Sequence, residues 1–129
     1  MFRFELALTL DAMDKELEAI PHYEMALSAG LPPDKRASAL LSLGSSLRNV
    51  GQFEQAKLVL KEAVHEFPDH IGIRCFYALA QYSGGEPAES VRTLVDAILV
   101  ILPESVKPYA AGLHHYAQQI SLREPPREK

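Results

Sequence analysis

His114 and His115 stand side by side in the stretch "GLHHYAQQ", and imidazoles are both common zinc ligands and common proton carriers. Adjacent residues on a helix project about 100° apart, whereas a tetrahedral metal shared by two helical histidines needs them four residues apart. The pair therefore reads as the flanks of a helix. His65, His70 and Cys75 follow at intervals that bracket a turn, yet no CxxC or HExxH pattern accompanies them; they read as loop histidines and a buried thiol. Glu16 with Glu18, and Glu86 with Glu89, fall where helices are expected to begin, and carboxylates there favour the helix dipole. The run "SGGE" has the glycines of a phosphate cradle without the Lys-Ser/Thr that completes one. No catalytic residue, metal ligand or cofactor is assigned, and the chain is expected not to be an enzyme.

Composition narrows the class. A chain of 129 residues that is 47% hydrophobic and 23% charged has enough apolar side chains for one packed domain. Only the polar tail at 123–129 is expected to be disordered. A net charge of −4, with 13 scattered Lys and Arg, makes no basic face for phosphate backbones, so nucleic acid is not an expected partner. Glu5 interrupts the apolar start and no small-residue cleavage site follows, so no export signal is read. The apolar run "AILVILP" is far below the ~20 residues of a membrane span. Membrane association is not expected, and the single cysteine suits a reducing cytoplasm.

The elements that position these residues are helices. In "LLSLGSSLRNVGQFEQAKLVLKEAVHEFPDH", the residues Leu40, Leu43 and Leu47, then Phe53, Leu60 and Val64, recur at helical spacing. Gly51 sits where a chain leaving one helix takes a left-handed conformation, and Pro68 with Asp69 should close the second helix and cap the next. Gly44, Ala56 and Ala63 lie on the apolar stripes, where small side chains let antiparallel helices approach closely.

The spacing resembles the tetratricopeptide family, whose signature runs W-x2-L-G-x2-Y, A-x3-F, P. Leu40, Leu43, Gly44 and Leu47, then Ala56 and Leu60, then Pro68 stand at these intervals, with Leu in place of three aromatics. Gly51, Phe53 and Ala63 also fall where the family favours glycine, an aromatic and alanine. One such unit cannot bury its own apolar face, and neighbours are present. An offset of 34 maps Gly51, Leu60 and Ala63 onto Gly85, Leu94 and Ala97; one of 37 maps Leu43, Leu47, Ala56 and Ala63 back onto Leu6, Leu10, Ala19 and Ala26. The resemblance implies an all-α superhelix over residues 1–122: three helical hairpins, about 1–34, 35–70 and 71–103, with a capping helix at about 107–122. In the third unit, strict periodicity puts Arg74 and Gln81 on the core side. A shift of two residues, making Phe76, Leu79 and Ala80 the core, is preferred. In the last helix, Tyr109, Leu113, Tyr116 and Ile120 form the expected buried stripe, with Gln118 and Gln119 facing outward.

The resemblance also implies recognition of a protein or peptide by the concave face of the stack. Relatives that hold a terminal carboxylate do so with Lys, Asn and Arg on first helices; here that neighbourhood carries Phe4, Leu8, Leu41, Ser42, Ser45 and Phe76, so such a ligand is not expected. The candidate partner-binding residues are Leu41, Ser45, Arg48, Phe76, Leu79 and Tyr82. The alternative is a homodimer that uses its apolar surface for self-association; the chain also resembles small stand-alone bacterial tetratricopeptide proteins, some of which are inferred to dimerise.

Overall fold

The structure, a computed structural model, describes residues 2–123, with side chains described through residue 120. The tail expected to be disordered lies outside the described residues from 124 onward; Arg123 still belongs to the last helix. Seven α-helices account for nearly all of the described chain: α1 (Phe2–Ala12), α2 (Glu16–Ala29), α3 (Pro33–Asn49), α4 (Phe53–Glu66), α5 (Ile71–Ser83), α6 (Pro87–Ile101) and α7 (Ala110–Arg123). Each helix packs on the next, and α3 also packs on α5.

Three turns show how one local sequence device is repeated. After α1, α3 and α5 the chain takes a positive φ, 59° at Asp14, 88° at Gly51 and 84° at Gly85. The following N–H of Lys15, Gln52 and Glu86 reaches back five residues to the carbonyls of Leu10, Leu47 and Gln81, at 2.8 Å in each turn. Glycine adopts this conformation without steric cost, and Asp tolerates it. The spacings of 37 and 34 residues match the sequence offsets. Glu16 and Glu18 open α2 and Glu89 lies in the first turn of α6. Pro21 sits inside α2 without ending it, because both Pro21 and Leu17, whose carbonyl loses its donor, lie on the exposed side.

Small residues sit where helices touch. A Cβ built on Gly44 would overlap Cγ and both Cδ atoms of Leu60, and Ala56, Leu60 and Ala63 are fully buried. Pro68 follows α4 and accepts Arg74 Nε at 2.8 Å on its carbonyl. The cap of α5 is His70 rather than Asp69: its Nδ1 accepts the Ile73 N–H at 3.1 Å. Phe53, the first residue of α4, is partly exposed.

Strict 34-residue periodicity holds in α5, and the preferred shift of two residues does not. Ala78 and Gln81, equivalent to Gly44 and Leu47, are buried, whereas Leu79 is exposed. Polar side chains are tolerated there because they are bonded. Gln81 Oε1 accepts Thr93 Oγ1 at 2.6 Å, and Arg74 reaches Pro68, so neither incurs the cost of an unpaired buried group. Ala80 is also buried and Phe76 half-buried, but on the side of α5 that faces back into the stack, equivalent to Ser46 and Ser42.

The last helix also departs from expectation. A 3-10 turn at Lys107–Tyr109 leads into α7, whose buried side carries Ala117 with Leu113 half-buried, while Tyr109 and Tyr116 are exposed. Gln118 points inward, its Oε1 accepting Arg92 Nη2 at 2.9 Å. The helix is anchored by this polar contact, by Ala117 and by half-buried Leu113 and Ile120, so two of the four expected stripe residues face inward while the two tyrosines turn outward.

Candidate partner-binding surface

On α3, Leu41, Ser45 and Arg48 share one face, and that face meets α5. All three are half-buried. Leu41 packs against the cluster containing Ala37, Leu40, Ala63 and Ile73. Arg48 Nε donates to Ser83 Oγ at 2.8 Å and to the Leu79 carbonyl at 3.3 Å. Phe76 packs into the core cluster of Leu43, Leu47 and Leu60. Leu41, Arg48 and Phe76 are thus occupied in joining α5 to α3 and α4, and Ser45 is half-buried between the first two. Leu79 and Tyr82 are open, at 41% and 66% exposure.

The repeat explains why. Leu41, Ser45 and Arg48 correspond, 34 residues on, to Cys75, Leu79 and Tyr82. In the second unit these positions receive the next first helix; in the third they receive none. The second helices behave alike. Lys57, Leu60, Val64 and Phe67 line the side of α4 toward α5, with Leu60 fully buried and Ile73 packed among Val64, Phe67 and Leu41. Their equivalents on α6 are Val91, Leu94, Ile98 and Ile101, which are 38–56% exposed.

None of these four is among the partner-binding candidates read from the sequence. Their signal is steps of three and four in a helix already apolar on its core side. What hides it is that Leu94 reads as the buried Leu60 of its repeat.

The position of α7 leaves this surface open. α5 lies on the face of α6 that carries Ser90 and Thr93, which bond to the Ala78 carbonyl at 2.7 Å and to Gln81. α7 lies on the face that carries Arg92. At 100° per residue these faces are about 130° apart around α6, and the stripe of Val91, Leu94, Ile98 and Ile101 lies on the wider arc between them. α5 and α7 each pack on α6, so the three helices form a layer; the α6 stripe is left open, and Leu79 and Tyr82 of α5, Tyr109 of the 3-10 turn and Tyr116 of α7 are exposed on the elements flanking it.

The N-terminal units are closed by polar contacts. Tyr23 Oη donates to Asp11 Oδ2 at 2.8 Å, and Ser46 Oγ lies 3.5 Å from the same oxygen. Burial, and next the hydrogen bond to the Asp11 carboxylate, hold the Tyr23 phenol well above its ordinary range. Burial likewise raises Tyr77, with Glu86 adding to it. Lys57 is raised by its bonds to Glu54 and Glu86, at 2.8 and 2.9 Å.

The histidines are dispersed. His70 caps α5, and His115 lies 3.0 Å from Gln119 on the exposed side of α7. Among the described residues, no three His, Cys, Asp or Glu side chains form a group able to hold a metal, and no helix is long and apolar enough to cross a membrane. Surface depressions on α2, α4 and around α7 are each lined by essentially one helix and enclose nothing.

A family model described as the tetratrico peptide repeat matches residues 1–120, and the chain belongs to that family. Membership suggests a protein–protein interaction module. No curated protein matches the chain.

Proposed function

We propose that this chain is a non-catalytic, cytoplasmic interaction module that binds a protein or peptide partner through the apolar surface of its C-terminal helices. The observation that carries the reading is the exposure of Leu79, Tyr82 and the α6 stripe at positions whose equivalents one repeat earlier are covered by a helix. A contiguous apolar surface of this kind marks an interaction site in a soluble domain. Leu41, Arg48 and Phe76 support it from below by holding α5 in place.

Affinity capture with the chain as bait, followed by mass spectrometry, tests the reading. A Leu79→Glu, Tyr82→Ala variant with an unchanged melting temperature should lose a protein that the wild type retains in stoichiometric amount. Identical captured sets for the two baits would refute it. A second reading, self-association, is favoured by the size of the same surface.

A further inference from the structure

We infer that the layer α5–α6–α7 is a two-fold homodimer face, on which a second copy of this chain stacks so that the two α6 helices meet. The inference rests on the interaction-module reading and names its partner.

The area argues for a whole protein surface rather than a short peptide. Taken together, the α6 stripe, Leu79 and Tyr82, and Tyr109 and Tyr116 expose on the order of 800 Å², about what each partner of a standard stable interface contributes. A peptide in the α5–α6 groove would leave Tyr109 and Tyr116 in water. A layer of equal width covers all three helices, and the chain itself carries one.

The chemistry is self-complementary. No charged residue interrupts the stripe at Val91, Leu94, Ile98 and Ile101, and tyrosines flank it on both sides, as in the core and edge of many interfaces. Two identical apolar faces need no opposite charges to pair, and an isologous contact closes at two copies. α6 is the middle helix of the layer, so a two-fold axis through the centre of the face brings α6 against α6. The stripe steps by three and four, from Val91 to Leu94, Ile98 and Ile101, a spacing suited to packing one helix along another.

Sedimentation and light scattering on the full chain at 1–100 µM test the state, and cross-linking tests the face. The wild type should be a dimer. Ile98→Glu should become a monomer with an unchanged helical spectrum, because the side chain is already 40% exposed in one copy. If that variant unfolds, Tyr116→Glu, at 67% exposure, repeats the test on α7. In a Cys75→Ser background, Ile98→Cys should give a covalent dimer with a short bismaleimide, and Leu58→Cys on the outer side of α4 should not. A wild type that stays monomeric at 100 µM, or a dimer that survives both glutamates and cross-links equally through Leu58→Cys, overturns the inference. A monomer that retains a different protein lost by the Leu79 and Tyr82 variant refutes the homodimer while the interaction-module reading stands.

Discussion

The groove between α3 and α4 and the groove between α5 and α6 are built from corresponding positions 34 residues apart, yet one is filled and the other open. In the first, Ile73 of α5 is fully buried among Leu41, Val64 and Phe67. In the second, Ile98 and Ile101 occupy the places of Val64 and Phe67 and face outward. Arg48 ties α3 to α5, whereas its equivalent Tyr82 projects from the surface. The repeat specifies a receptor for one more helix, and α7 packs beside α6 instead of entering it. An apolar binding face thus arises from the normal packing surface of a repeat whose neighbour has been placed elsewhere.

The sharpest test of the comparison truncates one leucine in each groove. Leu60→Ala should cost about 2–5 kcal/mol, since it opens a cavity in a fully buried site. Leu94→Ala, at a partly exposed position in one copy, should cost less than half as much in a monomer. Equal losses in chemical denaturation of a monomeric form would mean that the α6 face is covered within the chain.

Next in size is Gly44→Leu, which drives a side chain into Leu60 and should cost roughly 1–3 kcal/mol. The equivalent Ala78→Leu faces the looser Leu94 and should lower the melting temperature less. A melting temperature unchanged by Gly44→Leu would remove the close approach of α3 to α4.

A smaller contrast compares Arg48→Ala with Tyr82→Ala. The first removes bonds to Ser83 and the Leu79 carbonyl, worth about 1 kcal/mol. The second should leave monomer stability nearly unchanged while weakening association. Denaturation and sedimentation, run on both variants, separate the two effects.

The smallest effect is expected at alkaline pH. The Tyr23 phenol has an ordinary value of 10.0 and is raised in the folded protein, so the folded state favours its neutral form. Its contribution is fully present below pH 10 and fades as pH rises beyond that value. Tyr23→Phe should therefore show a shallower loss of stability above pH 10 than the wild type, and superimposable curves would detach Tyr23 from that loss.

Much of the architecture follows from the sequence alone, because it rests on local chemistry. Helical spacing at Leu40, Leu43 and Leu47, left-handed glycines at Gly51 and Gly85, and small Gly44, Ala56 and Ala63 act over a few residues and recur at a fixed offset. Tertiary structure decided what depends on the partner of each face. The register of α5 follows from hydrogen bonds made by Gln81 and Arg74 to residues far along the helix pair or in the preceding turn, which outweigh their polar character. The cap at His70 depends on ring placement, which composition does not specify. The binding face depends on the side of α6 that receives α7. An apolar stripe has the same spacing whether it is buried against the next helix or exposed, so only the position of α7 in space distinguishes the core of the second unit from the open surface of the third.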